Sequence, residues 1–200
     1  MARTHSQKVL QVAQRQGVLR PLDLDRHGIP RVILQRMEAS GRLTRVSRGL
    51  YSLPEPDVTE HRSTVEVSKK VPKSVICLLS ALRFHNMTTQ NPHQIWIAIG
   101  EKTRRPRLEH PPLRVMRFSE ATLKAGVQTH VVEGVKIKVF NPAKTVADCF
   151  KYRNKIGLDV ALEALREAWR ERRATSRDLW KYAAICRVAN VMRPYLESLT

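Results

Sequence analysis

The strongest constraint in this chain is a change of period near residue 42. Before it, apolar residues recur at helical spacing. From Arg42 to Leu53 they fall in two short β-type runs, Leu43 to Val46 and Leu50 to Leu53, split by Ser47-Arg48-Gly49. A three-residue loop ending in glycine fits a hairpin closed by a glycine bulge, because glycine enters positive φ without a Cβ clash. Tyr51 and Leu53 share one face of the second run, which directs them onto whatever precedes the hairpin.

What precedes it reads as three helices. Ser6 to Gln16 places Val9, Leu10 and Ala13 on one stripe, with Ser6 to cap the start and Gly17 to stop the end. Pro21 suits a first helical position, Leu22 and Leu24 supply apolar contacts, and Gly28 closes that segment. The third helix runs from Pro30 to Ala39 with Ile33, Leu34 and Met37 on its buried face. Three helices followed by a tight basic hairpin is the order of a winged helix-turn-helix, expected over residues 1–54.

Pro54-Glu55-Pro56-Asp57 breaks the pattern, since closely spaced prolines favour extended chain, and the linker is placed at residues 55–70. Beyond it, Lys73 to Asn86 reads as a helix. Ile95 to Ile99, Leu113 to Phe118, Gln128 to Val132 and Val135 to Phe140 read as strands, the last two joined at Glu133-Gly134. Asn141-Pro142 is a cap and first-turn pair for a helix carrying Ala143, Val146, Ala147 and Phe150 inward. A second helix runs from Gly157 to Arg172. Thr175, with Asp178 three residues on, caps a last one bearing Leu179, Trp180 and Ala183, broken at Met192-Arg193-Pro194. The whole is an α+β protein, with residues 71–200 forming a larger domain of a small mixed or antiparallel sheet and a C-terminal helical bundle.

Charge narrows the partner. The chain carries 36 Lys and Arg against 18 Asp and Glu, a formal +18, and residues 61–140 alone hold 14 basic and 5 acidic side chains. That excess points to a polyanion, with nucleic acid first. Neither terminus offers a basic amphipathic helix with a bulky apolar face, and the longest apolar run, Val75 to Leu79, is too short to span a bilayer. A cytoplasmic protein with no membrane partner is expected. Cys77, Cys149 and Cys186 are odd in number and sit in apolar contexts, so reduced, buried thiols are expected.

A helix fits the major groove, and the side chains it turns away from its own core meet base edges there. On the third helix these are Arg31, Val32, Gln35 and Arg36; arginine pairs with guanine and glutamine with adenine. Arg42, Arg45 and Arg48, on or beside the hairpin, are placed for phosphates or a narrow minor groove. Arg104 and Arg105, in the basic loop Glu101 to Arg107, extend the DNA footprint, supply a partner surface, or belong to a solvated loop; the sequence leaves these open.

No catalytic residue, cofactor or metal site is expected. Glu133 and Lys136 lack the one-residue separation of a nuclease Glu-x-Lys pair, and no Asp sits on a preceding strand to help hold an ion. His85 and His93 are too far apart for one helix face, and Ser80 with His85 lacks an orienting third group.

Two stretches resemble a known family. Gly28-Ile29-Pro30-Arg31, Leu34, Arg36-Met37, Gly41-Arg42-Leu43 and Arg48 to Pro54 resemble the N-terminal domain of AbiEi-type antitoxins. Leu79-Ser80-Ala81-Leu82, Asn141 to Phe150 and Gly157 to Leu165 look like that family's second domain. The resemblance implies an antitoxin that represses its own promoter through inverted repeats in double-stranded DNA. It also implies a second domain that counters a nucleotidyltransferase-like toxin, with or without direct contact. By the same resemblance Lys144, Asp148 and Lys151 form a candidate antitoxic surface, although Lys144 and Asp148, at i and i+4, equally suit an ordinary helix pair. The alternatives are a winged-helix regulator with an effector pocket in its second domain, and a nuclease-like enzyme.

Overall fold

Thr4 starts the fold. In the computed structural model, which describes residues 4–54 and 61–199, its hydroxyl accepts from Gln7 N at 3.3 Å while the Gln7 side-chain oxygen accepts from Thr4 N at 3.0 Å. This reciprocal cap begins helix α1 (His5–Gln16) just ahead of Ser6, the expected cap. By internal contacts the chain divides into two units, Met1–Lys70 with Val131–Lys136, and Val71–His130 with Ile137–Thr200.

In the first unit α1 is followed by β1 (Val18–Leu19), α2 (Pro21–Asp25), α3 (Val32–Ala39), β2 (Thr44–Ser47) and β3 (Leu50–Ser52). The strands form an antiparallel sheet in the order β1-β3-β2, with Leu19 and Arg45 facing Tyr51 from opposite sides. β1, two residues long, is too short to show a period, and it makes β3 a central strand. Leu50 is therefore buried as well as Tyr51. The hairpin turn is Arg48-Gly49 alone, with Gly49 at φ +74°. The register irregularity falls between Arg45 and Ser47, so the bulge lies within β2 rather than at the glycine. Val9, Ala13, Leu24, Leu34, Met37 and Tyr51 meet in one apolar cluster under the three helices.

Residues 55–60 of the expected linker lie outside the described residues. Arg62–Lys70 forms helix α4 and counts with the first unit. Its Lys69 ammonium lies 3.2 Å from the Asp23 carboxylate, and the Lys69 carbonyl accepts from Arg20 Nη1 at 3.1 Å. Asp23 also accepts from Arg20 N at 2.9 Å. Burial raises the Asp23 carboxyl, but the Arg20 bonds and the Lys69 charge outweigh it and leave the pKa lowered.

The second unit is built on a five-stranded mixed sheet. Its order is β6 (Leu113–Phe118), β5 (Ile95–Gly100), β4 (Val75–Ile76), β8 (Val135–Phe140), β7 (Val127–Val132). β5 runs antiparallel to β4 and parallel to β6, and β4 is parallel to β8. The helix expected from Lys73 begins only at α5 (Leu78–Phe84), because Val75 and Ile76 are drawn into the sheet centre opposite Ala98, Ile97 and Val139. A short helix α6 (Glu120–Lys124) follows β6.

Then come α7 (Pro142–Lys151), α8 (Arg153–Ile156), α9 (Leu158–Arg170), α10 (Ser176–Ile185) and α11 (Ala189–Glu197). Asn141 caps α7 by accepting from Lys144 N at 2.8 Å, and Thr175 caps α10 by accepting from Asp178 N at 3.1 Å. The last break falls at Cys186–Val188, where Arg187 takes φ +59°, and not at Pro194, which lies inside α11 at the loss of one backbone hydrogen bond. α7 packs against α5, α9, α10 and α11 and is the centre of the unit. All three cysteines are free and buried. Among the described residues no helix is long and apolar enough to cross a membrane.

Candidate nucleic-acid interface

Helix α3 sorts its side chains by period. Leu34 and Met37 are buried and Ile33 packs at the edge of the core. Val32, Gln35, Arg36 and Ala39, spaced i, i+3, i+4, i+7, form one exposed stripe. Val32 is 47% exposed, a β-branched apolar side chain turned largely to water. Beside the polar Gln35 and the cationic Arg36 this stripe offers apolar contact, an amide and a guanidinium, the groups that read thymine methyl, adenine and guanine edges.

Arg31 stands just ahead of this stripe, at the N-cap of α3 rather than within the helix. Its guanidinium is already engaged: Nε donates to Asp25 Oδ1 at 3.0 Å and Nη2 donates to Asp25 Oδ2. The Arg31 bond holds the Asp25 carboxyl below its usual range and raises the Arg31 pKa in turn. One edge of the guanidinium is thus taken and the Nη1 edge faces outward from the pair. Asp25, the last residue of α2, went unnoticed in the sequence. The two lie six residues apart across Gly28 and Pro30, where no helical period links them.

The wing is cationic along its length. Arg42, Arg45 and Arg48 are exposed, and Arg48 occupies the turn beside Gly49. Arg42 N donates to Met37 O at 2.9 Å, so this arginine leaves α3 on a fixed path into β2.

In the second unit the expected antitoxic surface is corrected. Lys144 and Asp148 are both fully buried, with Nζ 2.6 and 2.5 Å from the two carboxylate oxygens. Cys186 Sγ donates to Asp148 Oδ1 at 3.3 Å, and Lys144 Nζ sits 4.2 Å from the Phe140 ring centroid. Burial raises the Asp148 pKa against the pull of Lys144. The i, i+4 spacing puts both residues on one face, but helices cover α7 on several sides and that face points inward. The apolar run Ala143, Val146, Ala147, Cys149, Phe150 was the available signal, since a helix apolar nearly all round is a buried one. Lys151, at the end of α7, is exposed. Gly126 lies close against the stem of Lys144, where a Cβ would fall 2.7 Å from Lys144 Cβ.

Arg104 and Arg105 are exposed on the loop between β5 and β6. Ser80 and His85, weighed as a nucleophile and base, each serve the backbone: Ser80 Oγ accepts from Trp96 N at 2.9 Å, and His85 Nε2 lies 2.8 Å from Phe140 O. Among the described residues no group of three His, Cys, Asp or Glu side chains is placed to hold a metal ion.

Comparison with known proteins bears on the first unit above all. Residues 7–54 match the family model described as transcriptional regulator, AbiEi antitoxin. A search of curated proteins finds no match. The crystal structure of RV2827C protein from Mycobacterium tuberculosis superposes with a TM-score of 0.58 at 13% identity, over 92% of this chain and 72% of that one. At that identity the likeness is one of fold.

Proposed function

We propose that this chain is a sequence-specific DNA-binding repressor of its own operon and the antitoxin of a toxin–antitoxin module. The observation that carries the reading is a coincidence of position. The 48-residue stretch matching the antitoxin-regulator family, residues 7–54, is the stretch that folds into helices α1 to α3 and the wing, with its exposed face basic.

In this reading α3 enters the major groove of an inverted repeat. Val32, Gln35 and Arg36 meet base edges, and Arg31 meets the first of them from the helix start. Arg42, Arg45 and Arg48 contact phosphates or the adjoining minor groove. The protein works in the cytoplasm, where its promoter is, and performs no catalysis. The second unit counters a nucleotidyltransferase-like toxin encoded alongside, and Lys151 is the member of the expected antitoxic surface that remains exposed.

Electrophoretic mobility shift with duplexes drawn from upstream of the coding sequence tests the DNA half. Retention of an inverted repeat but not of its scrambled counterpart, falling roughly a hundredfold or more from low to moderate salt, is the expected result. Equal retention of both at moderate salt overturns it. Co-expression with the neighbouring reading frame tests the other half: growth arrest by that frame alone and relief by this chain are expected. A neighbour that lacks a nucleotidyltransferase signature and is harmless sinks the antitoxin reading while leaving the repressor intact.

A further inference from the structure

Helix α1 carries no acidic residue: His5–Gln16 holds Lys8, Arg15 and four glutamines, but neither Asp nor Glu. Lys8, Gln11, Val12 and Arg15 recur at i, i+3, i+4 and i+7 and so share one face. The acids of the neighbouring α2 are committed elsewhere, Asp23 to Arg20 and Lys69 and Asp25 to Arg31. Along this face lies a cleft of about 420 Å³, lined by Lys8, Gln11, Val12, Arg15, Gln16 and His27, all of the first unit. That volume lies in the range of small-ligand pockets, roughly 300–1,000 Å³.

His27 reaches the cleft from the turn between α2 and α3, and that turn is fixed. His27 N donates to Leu24 O at 2.9 Å, Ile29 N donates to the same carbonyl at 3.2 Å, and Gly28 between them takes φ +62°. The positive φ at glycine ends α2 sharply and holds the imidazole's backbone in one place.

The wall of the cleft is mostly carbon, as expected of Val12 flanked by long side chains that lay methylene stems on the surface and keep their polar heads in water. Its rim is cationic. Lys8 and Arg15 are exposed, and among the described residues neither has a carboxylate partner. Seven residues separate them, about 10 Å along the helix axis. Among the described residues no carboxylate lines the cleft. A concave surface of one charge sign with low-dielectric walls concentrates ions of the opposite sign. A bare phosphate satisfies the rim and leaves the carbon wall wet, whereas a neutral apolar molecule covers the wall and leaves the rim unpaired. An anion with an apolar body satisfies both.

We infer that this cleft binds a small organic carboxylate, its charge held at the Lys8 and Arg15 rim and its apolar body against Val12, between α1 and His27. The body is either an aromatic ring or a short aliphatic chain; the recognition chemistry is the same.

Titration of the isotope-labelled full-length protein with sodium benzoate, and separately with sodium hexanoate, distinguishes the two bodies when amide NMR shifts are followed at constant ionic strength. No DNA is present, so the result is independent of the operator proposal. Saturable shifts centred on Val12, Gln16 and His27 are expected with at least one probe, and saturation by one alone supports the cleft and assigns the body. Benzamide and hexanamide, which lack the charge, should bind about tenfold more weakly. Lys8→Gln combined with Arg15→Gln should lose the saturable shifts, while Lys8→Arg retains them. Thermal melting of the variants should match that of the original protein, since both side chains are exposed, which separates lost binding from lost fold. The inference is overturned if neither probe gives saturable shifts at the cleft or if the double variant binds as well as the original protein. It is equally overturned if inorganic phosphate gives the same shifts at the same concentration, since charge alone would then account for them.

Discussion

Arg31 and Asp25 form a two-point pair, Nε and Nη2 of the guanidinium on the two oxygens of one carboxylate, across the turn that joins α2 to α3. The pair is solvent-exposed, so its worth lies in orientation more than in stability. Holding the Nε edge aims the remaining Nη1 edge outward and restricts what Arg31 reaches.

On the proposed DNA-binding reading, that geometry makes Asp25 a positioning residue for the base contact of Arg31. Asp25→Ala should loosen the preference at the base pair Arg31 reads while raising affinity for random duplex, because one negative charge near the DNA is removed. Arg31→Ala should lose the same preference, by about 1 to 3 kcal/mol. Binding-site selection on both variants checks this; recovery of the original motif at the original stringency by each would place Arg31 off the bases.

Val32 and Gln35 should divide the rest of the readout by chemistry. Gln35→Ala is expected to cost about 1 to 3 kcal/mol at an adenine, and replacing a thymine by deoxyuridine at the Val32 position should cost less, since only a methyl contact is lost. Competition binding with single-substituted operators separates the two. By contrast Arg48→Ala should weaken all duplexes alike and reduce the slope of log affinity against log salt by about 0.9.

Asp23, Arg20 and Lys69 tie α4 to the winged helix. Because Asp23 is buried, Asp23→Ala should destabilise the first unit by about 3 kcal/mol through the uncompensated Lys69 charge. A fragment of residues 1–70 should melt higher than one of residues 1–60, which lacks Lys69. The Asp23 pKa is lowered in the fold, so its contribution is present above the unfolded carboxylate value of about 3.9 and is lost as pH falls below it. Urea melts of the 1–70 fragment across that window measure the loss, and a flat profile in the original fragment would contradict it.

The enclosed Lys144–Asp148 pair should behave as buried pairs do. Lys144→Met alone leaves a buried carboxylate and should cost about 3 to 5 kcal/mol, whereas Lys144→Met with Asp148→Leu should recover most of the loss. Denaturant unfolding of the single and double variants forms the cycle. Equal destabilisation by both would show that packing around Gly126, not charge, governs the site.

The sequence by itself determined those features whose cause is local. Hydrophobic period, a glycine in the wing turn and the Asn141-Pro142 and Thr175 caps act within a few residues, so the three N-terminal helices, the hairpin, strands β5, β6 and β8 and most C-terminal helices could be read directly. The exposed stripe of α3 followed from the same period, since placing Leu34 and Met37 inward leaves Val32, Gln35 and Arg36 outside. What only the tertiary structure decided has its cause far along the chain. β1 and β4 are two residues long and exist because another strand supplies their partners. α4 is fixed in part by Asp23 and Arg20, more than forty residues upstream. Lys144 and Asp148 differ from an ordinary surface pair only because surrounding helices close over α7. Periodicity states which residues share a face; burial of that face depends on what the rest of the chain lays against it.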